Sequence, residues 1–360
     1  MMPADQIRVH CTNVIGLGAT KLLQSLLPAL ELTKKAKKME FFLPDRGALL
    51  EYAPGSSRTK VIIYHRFLPN SISRLAECLF PGSIFNDPVP VLILGDLPLR
   101  CSAPQVVFVQ TPHLLRPEIF LWSLSGLKYA VARLIFRINA PRLRAVIVQT
   151  KVMKDRLIET YPILSGKVSI IPQPVPSWLE NPDFQRKKRE YSSESLLNLV
   201  YPAAYYPHKN HVLLGDVLNI VDGNWPISSL MLTIDPQIDP APNIDWVRCV
   251  GELSSSEMLE AYRDTDALVF LSKEESYGFP LVEAMYLGLP IVCPDLPFAR
   301  TLCGEGAIYF NPDNIRTLNL AILELKERLV SGWYPDWTIQ MREIPKNWQE
   351  TADKILDVCI

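Results

Sequence analysis

Glu275 and Glu283 stand eight positions apart in the run Glu-Glu-Ser-Tyr-Gly-Phe-Pro-Leu-Val-Glu-Ala-Met, residues 274–285, with Gly278 and Pro280 between them. The preceding residues, Ala267-Leu268-Val269-Phe270-Leu271, read as a strand. Pro280 suits the first helical position, where its missing N–H costs nothing. The helix then carries Leu281, Val282, Ala284, Met285 and Leu287 and stops at Gly288, with Pro290 just beyond. Strand, turn and helix N-terminus aim backbone N–H groups and a helix dipole at one point, which suits a phosphate. Gly278, with no side chain, lets such a ligand come close to the backbone. Two carboxylates beside a phosphate make sense if the ligand also offers hydroxyls. Glu275 in the turn and Glu283 about one turn into the helix then accept hydrogen bonds from sugars on either side of a diphosphate. A nucleotide sugar has that layout.

The elements that must position these residues repeat along the chain. Short apolar or β-branched runs at 61–64, 91–94, 106–109, 145–148, 168–171, 197–201, 230–234 and 267–271 alternate with helix-patterned segments. That alternation predicts parallel sheets covered on both faces. A chain of 360 residues exceeds one hydrophobic core, so two domains are expected. The proline-crowded stretch 172–182 places the linker, and a second α/β domain starts near residue 195. A net charge of −1 gives no whole-molecule attraction to nucleic acid. The seven cysteines are scattered, with no C-x-x-C pair and no histidine cluster at zinc spacing. A reducing compartment and no structural metal are therefore expected. No apolar run reaches the length of a membrane span, so the chain is expected to be soluble or at most peripheral.

Helix 124–139 carries an apolar stripe, Leu127, Val131, Leu134 and Ile138, with Arg133 and Arg137 opposite. Arg142 and Arg144 complete the densest basic patch of the chain. Two readings stay open: a helix packed on its own sheet with solvated arginines, or arginines that dock on an anionic membrane.

The run Glu275 to Met285, followed by Leu287-Gly288-Leu289-Pro290-Ile291-Val292, resembles the E-x7-E signature of the retaining glycosyltransferases of family 4, which have the GT-B fold. Ala145 to Lys151 with Ile170 to Val175, Pro207-His208-Lys209-Asn210-His211, and Trp348 to Ala352 agree in order and spacing. The resemblance covers roughly residues 140–355 well and the first 130 in outline. It implies two Rossmann-like domains facing each other across a central cleft: 1–175 for the acceptor, 176–335 for the nucleotide sugar, and a helical segment 336–360 packing back on the first. It implies that Glu275 contacts the donor sugar and Glu283 the ribose hydroxyls. Amides near Phe279, Pro280 and Leu281 then meet the diphosphate, and Lys209 neutralises the leaving group. A fixed cation there helps most in the transition state, when the diphosphate gains charge. The family's second cation, about six residues earlier, is replaced by Ala203, with His208, Arg66 and Lys273 as substitutes to weigh.

In the first half, Gly16 and Gly18 resemble the family's glycine-rich loop, although an ordinary tight turn fits them equally well. His113 follows the strand at 106–109 and resembles the histidine that touches the donor sugar; a structural histidine is the competing reading. Asp264-Thr265-Asp266 has a metal-binding D-x-D spacing but directly precedes a strand, and no catalytic metal is expected. The resulting expectation is a metal-independent hexose transfer, mannose favoured, from a GDP- or UDP-linked sugar to a saccharide or lipid-linked saccharide. The setting is cytoplasmic surface polysaccharide synthesis, with membrane contact through Arg133, Arg137, Arg142 and Arg144. The alternatives are a GT-B nucleotide-sugar epimerase and a catalytically silent partner subunit.

Overall fold

The computed structural model of the chain describes residues 4–14, 17–66, 70–81, 84–115, 124–180, 189–219 and 225–360. It divides into two units, Met1–Pro174 with Pro345–Ile360, and Val175–Ile344. Residues 336–344 thus belong to the second unit.

The first unit holds seven parallel strands: β1 (Ala4–His10), β2 (Ala36–Pro44), β3 (Thr59–Tyr64), β4 (Val91–Ile93), β5 (Gln105–Phe108), β6 (Leu143–Val148) and β7 (Val168–Ile170). They lie in the order β3-β2-β1-β4-β5-β6-β7. Helices α1 (Leu17–Leu32), α2 (Asn70–Leu79), α3 (Leu124–Asn139) and α4 (Lys151–Thr160) connect them. β1 escaped the sequence reading because it puts Arg8 in a central strand. The structure compensates that charge with two carboxylates, Nε to Glu40 at 3.0 Å and Nη1 to Asp87 at 2.7 Å.

The second unit repeats the plan with β8 (Leu197–Tyr201), β9 (Ile227–Leu232), β10 (Val247–Cys249), β11 (Ala267–Val269), β12 (Ile291–Pro294) and β13 (Ile308–Phe310), in the order β10-β9-β8-β11-β12-β13. Its helices are α5 (Ser255–Asp264), α6 (Phe279–Tyr286), α7 (Pro297–Cys303), α8 (Ile315–Val330) and α9 (Thr338–Arg342). Each run expected to be a strand overlaps one. β1, β2, β10, β12 and β13 are additional. The last helix, α10 (Trp348–Cys359), returns to the first unit and packs on α1 and β6. Arg144 holds its end by donating to Cys359 O at 3.0 Å and Ile360 O at 2.5 Å, and Lys35 pairs with Asp357.

α3 corrects the sequence reading. The stripe expected to pack on the sheet faces solvent, with Leu127 54% and Leu134 58% exposed. The buried side is Ile135, Phe136 and Asn139, continued by Ala140 just past the helix. Phe136 packs on Tyr161, ring centroids 4.7 Å apart, and Asn139 donates to Cys78 O and Ile135 O. The helix has two apolar faces, and periodicity does not say which one the sheet takes. The basic patch is also dispersed: Arg133 donates to His113 O, Arg142 to Ile138 O, and Arg144 holds the chain end.

Candidate active site

In the second unit the strand order reverses between β8 and β11, and α/β sheets hold ligands beyond the C-terminal ends of strands at such a point. The loop after β8 ends in a tight turn, Pro207–Lys209, and the loop after β11 runs to Gly278. Ser272 Oγ and Lys273 N both donate to His208 O, at 3.3 and 2.8 Å, tying the two loops together. Lys209 and Glu275 thereby meet: Nζ lies 2.5 Å from Oε1, with the side chains only 17% and 12% exposed. Tyr201 Oη donates to Lys209 O at 2.8 Å, and Asn210, at φ 58°, donates to Pro312 O at 2.9 Å. Next in sequence, His211 packs against the rings of Tyr201 and Tyr205. Burial and the Lys209 cation push its pKa down to about 4, so the imidazole is neutral near pH 7.

Gly278 caps α6 at φ 95°, a left-handed conformation that favours glycine. A Cβ there would also come within 3.2 Å of Leu281 Cδ1. The geometry narrows the set of amides expected to meet a diphosphate. Pro280 has no N–H, and Leu281 N donates to Gly278 O at 3.0 Å while its side chain is fully buried. That leaves Phe279 N, on the half-buried first residue of the helix. One turn further, Glu283 is buried, and its Oε2 accepts from Tyr262 Oη at 2.6 Å. Burial and the neighbouring carboxylate raise the Tyr262 pKa well above the usual phenol value, so it stays a donor. Sequence reasoning missed Tyr262. Its signal was a hydroxyl in the apolar stripe Met258, Leu259, Tyr262 of α5, where a buried tyrosine needs a polar partner.

Of the substitutes for a cation at Ala203, Lys273 pairs with Asp313 at 2.6 Å, and His208 stacks on Tyr206 at 5.7 Å. Arg66 lies in the first unit, where Glu77 takes its Nε at 3.0 Å and its Nη2 at 2.8 Å. His113 stands on the turn Pro112–Leu115 after β5, its ring 4.6 Å from that of Tyr129. Gly18 falls in the first turn of α1 with open space around it; Gly16 lies outside the described residues. Asp266 is structural, accepting from Asn198 N at 2.8 Å, Tyr191 Oη at 2.7 Å and Arg189 Nη1 at 3.2 Å. Among the described residues no group of three His, Cys, Asp or Glu is placed to hold a metal. The second unit also has a cavity of about 400 Å³ against α5. Asn198 and Thr265, which line it, stand at the N-terminal ends of β8 and β11, opposite the ligand-binding ends.

Residues 234–328, which include Glu275, Gly278 and Glu283, match the family described as glycosyl transferases group 1. That match spans about a quarter of the chain, and over it the sequence is similar to this family. It is 27% identical over 228 residues to the O-antigen chain mannosyltransferase RfbU of Salmonella typhimurium, a match covering 60% of each chain. The match thus spans about 60% of that curated relative's length. Two solved structures share the fold. A glycosyltransferase from Rickettsia africae has a TM-score of 0.65 at 13% identity, covering 99% of this chain and 97% of that one. Anabaena HepE in complex with UDP and glucose has 0.59 at 15%, covering 98% of both. The fold is GT-B, built from two parallel Rossmann-like sheets.

Proposed function

We propose that the chain is a retaining hexosyltransferase that moves a sugar from a nucleoside diphosphate donor to a hydroxyl of a saccharide or lipid-linked saccharide. The observation that supports this most is the Lys209–Glu275 contact four residues ahead of the α6 N-terminus, with Glu283 oriented by Tyr262 one turn in. Cations and a helix N-terminus serve the diphosphate; carboxylates serve sugar hydroxyls.

The donor's C1–O bond to the diphosphate breaks while the acceptor oxygen bonds to C1 from the same face. The acceptor proton passes to the departing diphosphate oxygen. Lys209 stabilises the charge that grows there, Glu275 accepts from the transferred sugar, and Glu283 accepts from the ribose. On the resemblance alone, His113 contacts the transferred sugar, and no metal takes part. The O-antigen chain mannosyltransferase relative supports a mannosyl donor and a surface polysaccharide acceptor, and the cytoplasmic setting rests on the sequence resemblance alone. HepE with UDP bound supports a UDP-linked one.

No helix among the described residues is long and apolar enough to cross a membrane. The exposed stripe of α3, flanked by Lys128, Arg137 and Arg142, supports contact with an anionic leaflet. Here the leucines insert and the cations line the edge, a change from the arginine-led reading.

The test is nucleotide release from GDP-mannose and UDP-sugars with and without a lipid-linked saccharide. Release that requires acceptor supports transfer. Donor converted without acceptor points to the epimerase, and no turnover with any donor points to a silent partner subunit.

A further inference from the structure

In the first unit the strand order reverses between β1 and β4. A cavity of about 340 Å³ opens at their C-terminal ends, lined by Thr12, Asp96, Thr111, Arg46, Arg74 and Lys128 among others. Three of these six carry positive charge.

The carboxylates nearby are already committed. Asp96 sits at φ 64° and accepts from Gln110 N at 2.6 Å, Thr111 N at 3.1 Å and Thr111 Oγ1 at 2.8 Å. Glu77 takes both forks of Arg66, and the same Oε2 lies 3.5 Å from Arg74 Nη1, an ion pair without a hydrogen bond. One carboxylate therefore serves two guanidinium groups. Arg74 is only 7% exposed. Its Nη2 donates to Leu97 O, while Nε and Nη1 have no acceptor among the described residues. His10 adds no further cation, since burial and the Arg74 and Arg66 charges keep it neutral. Arg74 lines the cavity, and a buried guanidinium with two donors lacking acceptors is costly unless a small rotation of the side chain lets a ligand supply them.

We propose that this cavity binds a phosphate-type oxyanion carried by the acceptor, with Arg74 as its buried fork and Arg46 and Lys128 as outer cations. The inference rests on the transferase reading, which requires an acceptor in addition to the nucleotide sugar. It names that acceptor's chemistry: a phosphate or diphosphate beside the hydroxyl that is glycosylated. A lipid-carried diphosphate and a phosphorylated saccharide present the same group.

The experiment titrates the full chain by calorimetry with inorganic pyrophosphate, a hexose phosphate and a short-chain prenyl diphosphate, each with the nucleoside diphosphate saturating. Arg74→Gln is expected to weaken oxyanion binding about tenfold or more, as for loss of a charge-assisted hydrogen bond, and Lys128→Gln by less. Lys209→Ala should leave it unchanged. Tighter prenyl diphosphate assigns the group to a lipid carrier; tighter hexose phosphate assigns it to a phosphorylated saccharide. If Arg74→Gln fails to fold, Lys128→Gln decides, because that side chain is exposed. Unchanged affinity in both variants, or loss only in Lys209→Ala, overturns the proposal. Failure to bind any nucleotide would instead count against the transferase reading, and the oxyanion titration would still report on the cavity.

Discussion

Replacing Lys209 by Met separates what its ion pair does for the fold from what its charge does for the reaction. With the side chains 17% and 12% exposed and 2.5 Å apart, removing the cation, which sits 6.0 Å from the centroid of the Phe270 ring, leaves the Glu275 carboxylate largely out of water. Breaking a buried pair from one side costs about 3 to 5 kcal/mol; partial exposure here puts the expectation at about 2 to 4. For a unit of this size that lowers the melting temperature of the Val175–Ile344 portion by roughly 5 to 15 °C. Adding Glu275→Gln removes the stranded charge, and replacement of both partners should restore most of the loss. Turnover should not recover, because the leaving diphosphate still lacks its cation. The assay pairs differential scanning calorimetry with nucleotide release under saturating donor. A single variant as stable as the wild type would show that the pair is solvated, and a double variant with normal turnover would remove Lys209 from the leaving-group role.

Glu283→Gln should weaken nucleotide binding by about 1.5 to 3 kcal/mol in calorimetry, and Tyr262→Phe by less, since it only frees the carboxylate that Tyr262 orients. Equal affinities in all three proteins would put the ribose elsewhere. His211 predicts a pH dependence. Its pKa is about 4 in the fold against 6.5 unfolded, so the unfolded chain binds more protons between those values, and stability falls as pH drops from 6.5 toward 4. The full effect approaches ~3 kcal/mol, and His211→Phe should flatten that part of a urea-melting profile taken across this range. Leu127→Glu with Leu134→Glu should abolish sedimentation with anionic liposomes and leave melting nearly unchanged, because both side chains are more than half exposed. A drop of several degrees would show that the stripe is packed after all.

The α/β alternation and the strand–turn–helix around Gly278 were legible because they are written in neighbours. Apolar runs at strand length, a glycine where φ is positive and a proline at a helix start act within a few residues. The two glutamates were legible for the same reason, since one short turn and one helical turn set their relation. The partners of those glutamates were not. Lys209 reaches Glu275 across 66 residues because β8 and β11 are adjacent in the sheet, and Tyr262 reaches Glu283 because α5 and α6 pack on that sheet. Arg8 hid β1, since a charge in a central strand is tolerated only when Glu40 and Asp87 arrive from other segments. In α3 the pattern offered two apolar faces, and the choice of Ile135 and Phe136 over Leu127 and Leu134 depended on what Tyr161 and Cys78 presented to the helix. Arg74 is the clearest case. Nothing about an arginine on a short amphipathic helix marks it out until α2 lays it over the junction of β1 and β4, where Glu77 is already shared. Local propensity settles which elements form; which side chains share a buried charge is settled only when segments far apart in sequence come together.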